Sequence, residues 1–228
     1  FAVDRTMKDV VFDPEDTKGR SKEEAITEFI SYAYDALARE GLMVSADVFG
    51  TIIRSGEDAQ AVGQDYGEMA RHLDYLCPMI YPSHYGDGNF GIEHPDTQPY
   101  DTILNALKGS KDVLAKAKAE NENGRQAIVR PWLQDFTASY LKNYIDYGDE
   151  QVRAQIQAVY DAGYDEWILW DAGVSYHYGG LLTPEEAARE EQEIQESRAE
   201  EARLEESRAA ESSAAAQSGA AADGTGNQ

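Results

Sequence analysis

The chain has 228 residues, with 43 acidic against 20 basic side chains and a formal net charge of −23. That length suits one domain or two small ones, and the charge repels a nucleic-acid backbone, since no basic stripe is visible to offset it. No apolar run of about 18 residues occurs, the opening Phe1-Ala2-Val3-Asp4-Arg5 lacks the basic-then-apolar order of an export signal, and the single Cys77 can close no internal disulfide.

In chain order, the first predicted element is a helix over about residues 22–40. Ser21 and Glu24 have the spacing of a capping box, Gly41 supplies the stop, and Ala25, Ile26, Phe29, Ile30, Ala33, Ala36 and Leu37 recur at three and four. Such a stripe predicts a helix packed on a sheet. Residues 42–49 (LMVSADVF) read as the first strand, being short, branched and bounded by turn residues. A helix is expected at about 64–73, a strand at 75–81 (YLCPMIY), a helix at 99–120 and a strand at 127–133 (AIVRPWL). A last helix at 149–162 is stopped by Gly163 before the fourth strand, 166–171 (EWILWD).

Composition changes after Leu182, because the final 46 residues hold 12 acids, 4 bases and no aromatic side chain. Thr183, Pro184 and Glu186 form a helix-start signal. The stretch beyond Glu186 is rich in Ala, Glu, Arg and Gln, with Ile194 and Leu204 as its only large apolar residues. Residues 183–228 are therefore expected to be a charged helix running into a disordered Ala/Ser/Gly end, too apolar-poor for a coiled-coil seam. The organised part is expected to be residues 1–182.

Regular alternation of strand and helix implies right-handed crossovers and a parallel sheet. No G-x-G-x-x-G or Walker sequence follows a strand, which argues against a phosphate-cradling doubly wound sheet. Each strand ends instead in a polar and aromatic cluster: Asp47 to Gly50, Tyr81 to Tyr85, Arg130 to Phe136, and Trp170 to Ala172. Sites assembled from many strand ends are the habit of a (β/α)8 TIM-type barrel. Four strands in about 140 residues are half of such a barrel, whose usual size is about 250 residues.

The blocks SADVFG (45–50), PMIYPSHY (78–85), RPWLQDF (130–136) and WILWDA (167–172) resemble a bacterial family of glycoside hydrolase domains once known only as a domain of unknown function. NFGIEHPDTQPY (89–100) and YGDEQVRAQI (147–156) are similar to the same family. The resemblance covers roughly residues 1–182 and implies a TIM-type barrel, a carbohydrate substrate and an extracellular or cell-envelope setting. It also implies an upstream half carrying a motif of the type FDYVRFP, whose Asp is a leading catalytic candidate. This chain starts just past that motif, and without Met, so only about the last four β/α units, strands five to eight, are expected here together with the tail.

Glycoside hydrolysis uses two carboxyl groups, one as proton donor and one as nucleophile or base. Asp47, Asp135 and Asp171 are the strand-end acids. By the two-residue period of a strand, Ser45, Asp47 and Phe49 share a face opposite Ala46 and Val48. Asp47 then points into the barrel mouth, unless it is a structural acid bonded to loop backbone or to Arg130. Tyr81, Tyr85, Trp132 and Trp170 are candidates for a sugar-stacking platform whose edges are met by Arg130, Gln134 and Asp135, while His84 either binds sugar hydroxyls or packs at the rim. Trp167 and Trp170 lie three apart in one strand and face opposite ways, Trp170 toward the site. The four histidines lack metal-ligand spacing, so neither metal nor cofactor is expected. Alternatives are a non-catalytic carbohydrate-binding or envelope scaffold, and a fragment without independent activity.

Overall fold

The computed structural model describes residues 18–119 and 124–183, together with 13, 15, 185, 186, 188, 189, 192, 195, 196 and 203. It divides into two units, residues 1–181 and 182–228. In the first, α1 (Lys22–Ala38) precedes β1 (Ser45–Phe49); two short helices, α2 (Gly56–Val62) and α3 (Tyr66–Met69), lead to β2 (Tyr75–Met79). The long α4 (Pro99–Ala119) is followed by β3 (Ile128–Val129) and β4 (Trp132–Gln134), then by α5 (Asp149–Asp161) and β5 (Ile168–Trp170).

All strands are parallel. The order is β1-β2-β4-β5, with β3 also on β2, so strand order follows chain order without reversal. The third predicted strand is split in two because Pro131, which has no N–H to give the ladder, follows Arg130 at the break; the chain stays in line through Arg130 N to Leu76 O (3.0 Å) and Ile168 N to Pro131 O (2.9 Å). The predicted helix at 64–73 begins earlier and is broken in two: Ser55 caps α2 by accepting from Asp58 N (3.1 Å), and Gly63, at φ 73°, ends it in a left-handed turn that an L side chain rarely adopts.

The two faces of the sheet differ. Val48, Leu76, Val129 and Leu133 form a core with Ile103 and Leu107 of α4 and Val152, Ile156 and Val159 of α5. The registered residues of the other face are Ser45, Asp47 and Phe49 of β1, Tyr75, Cys77 and Met79 of β2, Ile128, Trp132 and Gln134, then Ile168 and Trp170. On it Ser45, Asp47, Phe49, Ile128 and Trp170 are exposed. A parallel sheet is ordinarily covered on both faces. Here, among the described residues, helices cover one.

The α1 capping box forms as expected, with Ser21 Oγ accepting from Glu24 N (3.1 Å) and Glu24 Oε2 accepting from Ser21 N (2.8 Å). Its stripe is only partly used. Ile26, Ile30 and Tyr34 lean on the core, whereas Phe29 and Tyr32 are 63% and 73% exposed and no residue of the helix is buried. In the second unit Thr183 and Glu186 exchange capping bonds (2.8 and 3.2 Å), which starts the helix the sequence signals there. Residues 204–228, which hold the end of the expected helix and the Ala/Ser/Gly end expected to be disordered, lie outside the described residues.

Candidate active site

The open face of the sheet and the segment just after β2 carry five of the candidate groups. Asp47, central in β1, is exposed on the open face, and its Oδ1 accepts the indole Nε1–H of Trp132 at 2.7 Å. No described residue bonds its other oxygen. Trp132 meets Trp170 edge to face, centroids 5.8 Å apart at 87°, a geometry aromatic quadrupoles favour. Trp170 is 42% exposed. Trp167 packs toward the helices and donates Nε1–H to Tyr160 OH (3.1 Å).

Tyr81 closes the β2 side. Burial pushes its phenol well above 10, and the charges of Asp47 and of Tyr176 in the loop after β5 push it the same way. His84 stands at the rim with its ring edge-on to Tyr81 at 5.0 Å, and the protein packed on its covered side lowers its imidazole below 6.5.

Asp135 is fully buried and wholly engaged by one residue that sequence reasoning did not single out. Its Oδ2 accepts His177 N–H (3.0 Å) and its Oδ1 meets His177 Nδ1 at 2.6 Å, while the His177 ring stays 42% exposed. The backbone holds the pair to the site, because Asp135 N donates to Trp170 O (2.9 Å). His177 sits in an irregular loop 42 positions beyond its partner; only its flanking tyrosines, Tyr176 and Tyr178, mark it in the sequence.

The remaining candidates are placed elsewhere. Asp171 turns back on its own loop, accepting Gly173 N (3.2 Å) and Ser175 N (2.8 Å). Arg130 stacks over Tyr75 (3.9 Å to the centroid) and bonds Glu166 through Nε at 2.6 Å, so it does not reach Asp47. Tyr85 is buried against Phe90, with centroids 5.1 Å apart. Gln134 is wholly buried and works as a hub: its Oε1 accepts Ser83 N (3.0 Å), and its Nε2 donates to Asp96 Oδ1 and Phe136 O (both 3.0 Å). Asp96, a second residue missed in the sequence, is drawn inward by this amide, and burial raises its carboxyl despite help from Gln134, Ile145 and Tyr147.

A cavity of about 610 Å³ lies at the other end of the strands, lined by Lys111, Leu114, Ala127, Ile128 and Glu166. It contains none of the strand-end acids. A smaller one of about 520 Å³ opens beside His84, with Ser83, His94, Asp96 and Asn143 in its wall. Among the described residues no cluster of His, Cys, Asp and Glu is suited to hold a metal ion, and no helix is long and apolar enough to cross a membrane.

No protein of curated function matches the sequence. Among solved structures, the spore cortex-lytic enzyme SleL of Bacillus megaterium QM B1551 is similar over 70% of this chain and 44% of its own, at 12% identity and a TM-score of 0.47. SleL of Bacillus cereus is similar over 70% and 45% (12% identity, TM-score 0.46). The PgaB (BpsB) glycoside hydrolase domain of Bordetella bronchiseptica is similar over 73% and 44% (13% identity, TM-score 0.41). The chain thus spans less than half the length of each of these structures. The family described as "Putative glycosyl hydrolase domain" matches residues 1–176, more than three quarters of the sequence, and the chain belongs to that family.

Proposed function

We propose that this chain supplies the strand-end site of a barrel-type glycosidase that acts on a neutral oligo- or polysaccharide by carboxyl acid/base chemistry. The observation that carries the reading is the open-face contact of Asp47 with Trp132, beside Trp170. Aromatic faces suit the apolar faces of pyranose rings, and the carboxyl beside Trp132 is available to the glycosidic oxygen. Trp132 fixes one oxygen of Asp47 and leaves the other to carry a proton to the leaving group. A net charge of −23 disfavours polyanionic glycans.

Sequential parallel order and helices on one face support the further reading that these strands are half of a (β/α)8 barrel. In a complete barrel the open face lines the interior and its mouth, and the outer edges of β1 and β5, unpaired among the described residues, gain neighbours. Residues 1–182 are the barrel portion in this reading, and 183–228 a charged appendage. The family and the substrate class favour an extracellular or cell-envelope setting.

The test is a screen of the full chain against cello-, malto- and chitooligosaccharides, with products read by mass spectrometry. Release of shorter sugars from at least one is expected. Binding without release, abolished in Trp132→Ala, would replace the enzyme by a carbohydrate-binding scaffold; neither binding nor release would sink both.

A further inference from the structure

We infer that His177 is the second proton-transfer group of this site and that Asp135 acts through it as a positioning residue. The inference rests on the glycosidase reading above. A strand-end acid whose two oxygens are both occupied by one neighbour, and whose side chain has no exposed surface, cannot itself meet a sugar. It can fix a ring. With Asp135 accepting at Nδ1, the neutral imidazole carries its proton on Nδ1 and turns Nε2, a free acceptor, away from the carboxylate. The backbone bond from Asp135 to Trp170 O ties that ring to the indole pair, and Trp132 of that pair donates its indole N–H to Asp47. Acid and base are thereby supplied from β1 and from the loop after β5, on either side of the indoles.

The step balances as a hydrolysis. A water oxygen bonds to the anomeric carbon as the bond from that carbon to the leaving oxygen breaks. The leaving oxygen takes the proton from the Asp47 carboxyl, and the surplus proton of the water passes to His177 Nε2. The imidazolium so formed is held by the Asp135 carboxylate, and proton exchange with solvent restores both groups. A buried Asp of this kind stabilises the charged ring and selects its tautomer without taking the proton.

The experiment is ¹⁵N NMR of the full chain, labelled at histidine and at the tryptophan indoles, titrated with the oligosaccharide released most readily in the screen. The expected result is an Nδ1–H tautomer for His177 and a shift of its Nε2 resonance together with the indole resonances of Trp132 and Trp170. Asp135→Asn should disturb the tautomer, leave sugar binding intact and lower kcat by about 10²-fold or more. If that variant does not fold, His177→Ala alters only a part-exposed ring, and its turnover should fall and recover with added imidazole. Indole shifts without a His177 shift, full turnover in Asp135→Asn, or no imidazole rescue would overturn the inference and leave the glycan site standing. No shift at any of these residues would overturn both.

Discussion

Replacing Gln134 by Leu separates a structural role for this strand-end residue from a ligand-binding one. Leucine is close in volume and the site is wholly buried, so little cavity is created; what changes is hydrogen bonding. Three partners lose their bond at once: Ser83 N–H, the Asp96 carboxyl and the Phe136 carbonyl, each now 3.0 Å from the amide. A buried polar group left without a partner costs about 1–3 kcal/mol, more when charged. Allowing for some relaxation, the loss is about 3–6 kcal/mol, a large share of the roughly 5–15 kcal/mol that holds a domain folded. The backbone bonds of Gln134 with Gln155 (3.0 and 2.7 Å) survive the change, so the strand itself should form. Urea unfolding monitored by tryptophan fluorescence reads the effect. With a slope of about 2 kcal/mol per molar, the midpoint should fall by roughly 1.5–3 M at unchanged slope. A fall of less than about 0.5 M would refute the hub reasoning and return Gln134 to the candidates for direct sugar contact.

Single buried groups give two more expected outcomes. Asp96 has its folded carboxyl raised above the ordinary 3.8 by burial, so the folded state holds its proton to higher pH than the unfolded state does. The resulting penalty is absent below 3.8 and complete above the folded value. Asp96→Asn, which keeps an acceptor for Gln134, should therefore gain on the wild type in thermal stability between about pH 3 and pH 7; a difference that is flat or moves the other way would contradict this. Cys77 is 2% exposed, and burial foremost, then the charge of Asp47, pushes its thiol up to about 11. At pH 8 about one thiol in a thousand is ionised, so an aromatic disulfide reagent should label it in denaturant at least about 10²-fold faster than in the native protein, and equal rates would show that its neighbours do not shield the thiol.

The alternation of elements was legible in part because two of the long helices carry their own punctuation: Ser21 with Glu24 before α1, and Gly163 after α5. The parallel sheet is a consequence of that alternation. Less legible was the break at Pro131, where a run of apolar residues outweighed one missing donor. The stripe of α1 announced an amphipathic helix but not how much of it would be covered, since periodicity records a face and not its partner. The placing of Asp47 on the open face was legible because it stands in a regular strand whose two-residue period fixes its direction. Gln134 ends β4 and Asp135 follows it, and their surroundings are set by distant loops carrying Asp96 and His177. No local pattern links residues 38 or 42 positions apart.

The most direct measurement is the turnover of Asp47→Asn in the full chain, on whichever neutral oligosaccharide the wild type cleaves, with binding measured alongside. Asparagine keeps an oxygen for the Trp132 indole and removes the transferable proton. If Asp47 is the proton donor, sugar affinity stays unchanged and kcat falls by about 10²–10⁴-fold, the usual contribution of a positioned acid. Wild-type kcat in Asp47→Asn would contradict that role.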